Sequence, residues 1–409
     1  MIKKFSIKNF KVHKNSYIFN LEGLTVLTGT NNSGKSSLTQ SLRLLSKIND
    51  KSFSYSKLPF EEIPELRDFK STLNKEVNRS ESIKYEFSLD VKNLKFCNIE
   101  LEFNSIYNYE KAFIDMLDEA ILKKIDIYFE NKDGILKNYE FVINMDGNTP
   151  ITYNLNEIIL GDKEERVLVQ TGILLKGIYP SFIPLTMQEG FSELLTINSY
   201  LGNINENSIK YIPAIRGVDS CNIPNIIEKS KDKIIFDGKT TLINAFNIWT
   251  NKIQNTEFKL KIENNRSKIV AVEDNIEFEL SQIGFGNNQI IPIIAIILTA
   301  KKGDLVIIEN PEVHLHPKWK TNLVELFYYV IDYGVNILIE TQSLEIINRV
   351  RLDIKEKNKL KDKTSLYFFE KQGLKSIIQK IEIEGTGSLD SWSDDFVDKV
   401  TIEDSFKLL

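Results

Sequence analysis

The sequence predicts an α/β protein in which a mixed sheet flanked by helices is built from both ends of the chain, with a large α+β insertion between them. Three observations predict it. Short, purely apolar runs at 24–28, 305–308 and 335–339 each lead through a turn into a helix-spaced segment, the order of a parallel sheet with crossover helices. Residues 85–103 and 126–158 instead alternate apolar and polar side chains, as antiparallel strands do. Lys35 and Glu309, which follow the first and second runs, carry chemistry that has to meet, so the chain between them is inserted into one core.

Residues 5–29 alternate as strands, and the run ending at Gly29 suits a buried central strand. Leu38, Leu42, Leu44, Leu45 and Ile48 then recur at roughly helical spacing, so a helix covers about 35–48. Residues 52–82 are polar and irregular. Tyr85, Phe87, Leu89 and Val91 alternate and open a pair of strands reaching Phe103. Phe113, Met116, Leu117, Ala120, Ile121 and Ile125 lie on one side of a helical projection, which predicts an amphipathic helix over 112–125. Strand alternation returns over 126–158 around Asp133-Gly134 and Asp146-Gly147 turns, and 170–250 mixes helices and loops. Strands at 256–263 and 267–279 lead to a Gly-rich turn and a helix over 287–300. The strand at 305–308, a helix over about 317–332, the strand at 335–339, a short helix, a charged connection at 355–363 and a hairpin over 365–384 complete the pattern. No heptad run is sustained, so no long coiled coil is encoded.

Composition removes several function classes. The 52 basic and 57 acidic residues give a net charge of −5, which excludes a uniformly basic nucleic-acid coat but leaves a local basic face open. Cys97 and Cys221 stand in neither CxxC nor metal spacing, so no disulfide scaffold or structural zinc site is expected and a reducing compartment fits. With only His13, His314 and His316, catalysis built on scattered histidines has little material. The N-terminus lacks the apolar core of a signal peptide. The longest apolar run, 290–300, is interrupted by Pro292 and too short to span a bilayer, so a cytoplasmic protein without a membrane partner is expected.

The strongest motif is Gly29-Thr30-Asn31-Asn32-Ser33-Gly34-Lys35-Ser36, followed by Ser37. It fills every fixed position of G-x-x-x-x-G-K-[ST] and sits between a buried strand and a helix. Glycines let the backbone wrap phosphate oxygens, and the N–H groups and dipole of the helix start attract the anion. Lys35 reaches the β- and γ-phosphates, and Ser36 places its hydroxyl on Mg²⁺.

Such a loop needs an acid at the end of a neighbouring strand, and Glu309 supplies it, directly on Mg²⁺ or through water. Glu312 either approaches the γ-phosphate or serves as a helix N-terminal acid or ion-pair partner. His314 and His316 are read as residues that position this loop by hydrogen bonding rather than as zinc ligands. Gly284-Phe285-Gly286-Asn287-Asn288-Gln289 opens an apolar helix whose N-terminus suits an anion. Gln342, at the end of the strand at 335–339, is placed to hydrogen-bond a γ-phosphate or an attacking water, while Ser343 suits a helix cap.

Together these segments resemble ATP-binding-cassette (ABC) type ATPases of the SMC, RecF and OLD (overcoming lysogenization defect) kind. The opening Ile7-Lys8-Asn9-Phe10-Lys11 and the loop at 29–37 look like their first strands and phosphate loop. Glu309-Asn310-Pro311-Glu312-Val313-His314-Leu315-His316-Pro317 looks like their Walker B segment, and 284–289 is similar to their signature segment. Tyr211-Ile212-Pro213-Ala214-Ile215-Arg216 is similar to a strand with an Arg near the site, and Trp392-Ser393-Asp394-Asp395-Phe396 resembles the C-terminal segment of small stand-alone members. The resemblance implies an ABC-type head formed by 1–50 and 256–409, with 51–255 as an antiparallel-strand arm plus helical insertion. It implies ATP and Mg²⁺ as cofactors, and a homodimer or higher oligomer whose heads sandwich ATP between one copy's phosphate loop and the other's signature segment. It also implies a separate effector, a nuclease or toxin, in phage or mobile-element defence. Too few residues follow Gln342 for the TOPRIM nuclease domain of OLD proteins, so the turn Glu384-Gly385-Thr386-Gly387-Ser388 is read as a plain turn.

Three positions depart from the pattern. Asn310 stands where the second Walker B acid, the usual general base, is found; Gln342 replaces the switch histidine; Asn288 replaces the signature Ser. Slow hydrolysis by an ATP-gated clamp is therefore expected, with Glu312 as candidate base. The alternative is a RecF-like DNA-binding repair ATPase. The basic stretch from Arg349 to Lys363 is interrupted by Asp353, Glu356 and Asp362 and reads as a solvated connection, so a protein partner is favoured, with DNA as the open alternative.

Overall fold

The computed structural model describes residues 2–48, 57–106, 119–146, 149–160, 165–173, 192–218, 222–263, 266–273, 276–279 and 284–390. The segment 392–396 lies outside them. The chain begins with β1 (Ile2–Lys8), β2 (Phe19–Asn20), β3 (Leu24–Gly29) and α1 (Lys35–Lys47). It continues through α2 (Phe69–Thr72), β4 (Ile83–Leu89), β5 (Leu94–Ile106), β6 (Glu119–Asn131), β7 (Leu136–Asp146), β8 (Thr149–Leu160) and β9 (Glu165–Ile173). Next come α3 (Ser192–Gly202), β10 (Ile209–Ile212), α4 (Ile223–Ser230), α5 (Leu242–Gln254), β11 (Glu257–Glu263), β12 (Arg266–Glu273) and β13 (Ile276–Glu279). The last part holds α6 (Phe285–Thr299), β14 (Leu305–Glu309), α7 (Pro317–Asp332), β15 (Asn336–Glu340), α8 (Leu344–Glu356), β16 (Thr364–Gln372) and β17 (Lys375–Ile381). The α/β class predicted from the sequence is the one observed.

By contacts the chain divides into two compact units, 1–20 with 31–209 and 370–378, and 21–30 with 210–369 and 379–409. These boundaries differ from the division into 1–50 with 256–409 and 51–255, because β1 forms a six-residue-pair antiparallel ladder with β4 instead of standing with β3. In the first unit the sheet runs β2-β1-β4-β5-β6-β7-β8-β9. Phe5, Tyr85 and Phe103 meet edge to face on its buried side, and Phe129 stacks on Tyr139. Across another row Glu86 faces Glu100, Glu100 faces Asp126 and Asp126 faces Glu140 on successive strands. Directly opposed like charges repel. Lys84, paired with Glu100 and Glu102, and Lys124, paired with Asp126 and Glu140, offset that repulsion.

The helix expected over 112–125 is not formed: 119–125 belong to β6, and 112–118 lie outside the described residues. The pairing register between β5 and β6 shifts where Glu102 faces Lys124 but Phe103 faces Leu122. This bulge at Lys123 puts Ile121 and Leu122 side by side in the core and breaks the two-residue alternation, which produced the helix-like spacing.

In the second unit the sheet order is β10-β14-β15-β3-β16-β17, with β14, β15, β3 and β16 parallel. Val26, Val306, Ile308, Ile337 and Ile339 from its strands share one core with Ile290, Ile294 and Ile297 of α6 and Leu323, Phe327 and Val330 of α7. Burial on both faces accounts for the unbroken apolar runs in the sequence. A separate three-stranded antiparallel sheet, β11-β12-β13, precedes α6. No helix among the described residues is long and apolar enough to cross a membrane.

Candidate nucleotide site

The parallel strands end at one edge of the sheet. Glu309 is in register with Glu340, and Glu340 with Leu27, so the ends of β14, β15 and β3 lie side by side there. Gly29 closes β3 at φ +130°, and a Cβ there would overlap the Phe369 carbonyl of β16, so only glycine fits. The N–H of Thr30 donates to that same carbonyl at 3.0 Å.

Asn31 to Ser37 belong to the first unit. Asn32 (φ +59°) and Gly34 (φ +110°) are left-handed, as Gly29 is, and such turns curl successive N–H groups toward one side, the geometry of an anion cradle. Gly34 is the N-cap of α1 and no side chain caps that helix. Asn31, Asn32 and Ser36 are exposed, Ser37 is half-buried, and Ser33 and Lys35 are buried.

Two residues to which the sequence pattern assigned no role at the site support this loop and the helix after it. Nε2 of His13 lies 2.9 Å from the Gly34 carbonyl, which can only accept, so the ring proton sits on Nε2. His13 is fully buried, and desolvation pushes its pKa down to about 4, so the ring is neutral. His13 and Val12 also occupy the space into which any Cβ on residue 34 would project. Lys11, at φ +50° in the same tight turn, donates to Gln40 of α1 at 2.6 Å, and burial lowers its pKa.

In the second unit, Asn310 follows β14 at φ +42°, a conformation Asn tolerates better than most residues, and its N–H donates to the Glu340 carbonyl at 2.8 Å. The turn this starts carries Glu312 across to the end of β15, where the backbone N–H of Gln342 donates to Glu312 Oε1 at 3.0 Å. Oε2 of Glu312 is buried with no hydrogen-bond partner among the described residues. The Gln342 side chain is exposed, while Ser343 caps α8 through the Ile346 N–H. His316 is the N-cap of α7 and accepts from the Lys318 N–H at 3.3 Å, ahead of Pro317 at the first helical position. His314 is exposed at φ +61°. Among the described residues no three or more His, Cys, Asp or Glu side chains are arranged to hold a metal ion, whereas Mg²⁺ typically takes one or two carboxylates with phosphate oxygens and water.

The start of α6 is tied to this turn. A Cβ on Gly286 would meet the His314 carbonyl and the Trp319 ring, so the first helical turn rests on 314–319. Asn287 and Asn288 are half-buried. Gln289, read from the sequence with the nucleotide-contacting segment, instead points inward: its amide receives the Arg216 N–H and donates to the Arg216 carbonyl. The Arg216 guanidinium, 2% exposed, donates to the carbonyls of Gln289, Pro213, Ala214, Glu309, Asn310 and Pro311 at 2.8–3.4 Å. The turn at 384–388 is closed by Thr386 and Ser388 hydroxyls on Glu384 and held to α8 by Arg351 at the Gly387 carbonyl. In the basic stretch, Arg349 pairs with Asp353, and Lys359 and Lys363 with Asp332.

Glu309 ends β14, which is separated from β3 by β15 and is not its direct neighbour as the sequence suggested. A phosphate-loop motif following β3 and an acid ending another strand of the same parallel sheet define a nucleotide-binding α/β protein. Residues 1–347 match the family model of the AAA ATPase domain, and the chain belongs to that family. No curated protein matches the chain. Among solved structures it is similar to an SMC head bound to the C-terminal winged-helix domain of ScpA (12% identity, 94% of this chain and 98% of that one, TM-score 0.49). It is also similar to the SMC head domain from Thermotoga maritima (11% identity, 93% and 99%, TM-score 0.46). A third is the Pyrococcus furiosus Smc head domain with an extended coiled coil, bound to the C-terminal domain of ScpA (11% identity, 99% of both chains, TM-score 0.46).

Proposed function

We propose that this protein is a Mg²⁺-dependent ATPase in which the 29–37 loop holds the phosphates, Ser36 and Glu309 hold the metal, and Glu312 orients and deprotonates the attacking water. The observation that carries the reading is the state of Glu312. One carboxylate oxygen is fixed by the Gln342 N–H, and the other is buried without a hydrogen-bond partner among the described residues. A buried, unsatisfied acceptor costs about 1–3 kcal/mol, a cost that a bound water or substrate proton would relieve. Mg²⁺, when bound, neutralises charge on the β- and γ-phosphate oxygens. Lys35 adds a fixed positive charge, and the uncapped start of α1 orients N–H groups toward the phosphates.

Two copies close around ATP, with 284–288 of one facing the phosphates on the other. Asn310 in place of an acid makes turnover slow, so the protein works as an ATP-gated clamp that scaffolds a separate effector in phage or mobile-element defence. The resemblance of the motifs and membership of the AAA ATPase family support this reading.

Purified protein should hydrolyse ATP only with Mg²⁺, and Lys35→Ala should abolish both nucleotide binding and turnover. Light scattering should show dimers with ATP and monomers without it. Wild-type protein that neither binds nor turns over MgATP would refute the proposal. Co-purification with a nuclease or toxin supports the effector role; salt-sensitive DNA affinity of the chain alone supports repair instead.

A further inference from the structure

We propose that Arg216 is a positioning residue that locks the start of α6 to the turn after β14, so that the nucleotide-facing segment 284–288 and Glu312 move as one body. The inference rests on the nucleotide-site reading above and adds to it the way one copy's site senses the other.

The guanidinium spends its donors on main-chain carbonyls from three separate segments. Nε holds Gln289 at 2.8 Å, Nη1 holds Pro213, Ala214, Glu309 and Asn310, and Nη2 holds Asn310 and Pro311. Only arginine offers so many donors in one rigid plane; a lysine ammonium offers three on a flexible stem. Gln289 closes the bracket from its side with both bonds to the Arg216 backbone. Gly286 resting on the His314 carbonyl makes a second contact between the same two segments, with no side chain between them to absorb a shift. Ile215, one residue away, is 88% exposed. Ile212 and Val218 anchor the ends of the loop in the core, and between them the buried Arg216 is the residue that ties it to α6 and to the turn after β14. A displacement of the start of α6, such as a second copy's ATP would impose, is thus carried to 309–314 and to the carboxylate of Glu312.

The test compares wild type with Arg216→Lys, Gln289→Ala and the double variant. ATP turnover, ATP affinity, melting temperature and amide exchange are followed. Arg216→Lys keeps the charge and loses the fork; kcat is expected to fall about tenfold or more from the misplaced carboxylate. KM and ATP affinity should stay within about twofold, because binding by the phosphate loop is untouched. Gln289→Ala should give a smaller kcat loss, and the double variant no more than Arg216→Lys alone, since the two act as a unit. Unchanged kcat in folded Arg216→Lys, or kcat and ATP affinity falling together in step with melting temperature, overturns the proposal. If Arg216→Lys does not fold, Gln289→Ala decides by the same kcat-against-KM criterion. If wild type lacks ATPase activity, the proposed function fails, while exchange still judges the lock. Amides of 285–289 and 310–315 accelerating together in Gln289→Ala support it, and acceleration confined to 285–289 overturns it.

Discussion

The backbone N–H of Gln342 and the carboxylate of Glu312 meet at 3.0 Å across the ends of β15 and β14. That bond fixes the carboxylate through the backbone and not through the exposed Gln342 side chain. It also gives Glu312 a definite orientation at the sheet edge where Glu309 and Gly29 end their strands.

Glu312→Gln should reduce kcat by about 10²-fold or more, the usual contribution of a general base, with ATP affinity retained. Glu309→Gln should instead raise the Mg²⁺ concentration needed for half-maximal turnover. Steady-state assays over a Mg²⁺ titration separate the two, and identical Mg²⁺ profiles would remove Glu309 from the metal site.

Gly29→Ala combines a left-handed φ with a Cβ overlapping the Phe369 carbonyl. It should destabilise the protein by about 2 kcal/mol or more, read from urea unfolding. The same substitution at Gly284, where a Cβ meets nothing within 4 Å, should be far milder.

His13 has a folded-state pKa depressed to about 4 against an ordinary value of 6.5. Above pH 6.5 both folded and unfolded states are neutral there. As pH falls from 6.5 to about 4 the unfolded chain takes up a proton that the buried ring refuses, so stability drops by at most about 1.4 kcal/mol per pH unit. His13→Gln keeps an amide donor for the Gly34 carbonyl without titrating. Its melting temperature should therefore fall less than that of wild type across this window; parallel curves would contradict the assignment.

Asp126 has its carboxyl pKa raised, chiefly by burial, against the opposing bonds from Lys124. A raised acid pKa means that the carboxyl contributes stability fully below its ordinary value of 3.8 and that this is lost as pH rises through the folded value. Asp126→Asn, with Lys124 still paired to Glu140, should raise the melting temperature at pH 7 and lose that advantage below pH 3.8. A lower melting temperature at pH 7 would show that the Lys124 bond outweighs the repulsion.

The parallel strands were legible because burial on both faces leaves unbroken apolar runs such as 305–308. β6 was misread because a bulge at Lys123 hid its alternation. Gln289 was grouped with nucleotide-contacting residues by its place beside the glycines, yet its amide belongs to Arg216, 73 positions earlier. His13 was a mere count in the sequence, since nothing local links it to Gly34.

The sequence by itself determined which groups stand near the strand ends: the 29–36 motif with Lys35 and Ser36, and the acids Glu309 and Glu312. Each is specified by a short run of residues and its local backbone preference. Tertiary structure alone decided what holds those groups, namely Arg216 on six carbonyls, His13 on Gly34 and the Gln342 N–H on Glu312. Backbone carbonyls and N–H groups are the same at every residue. Which of them a distant side chain meets depends on how the strands are ordered and not on any pattern of side chains along the chain.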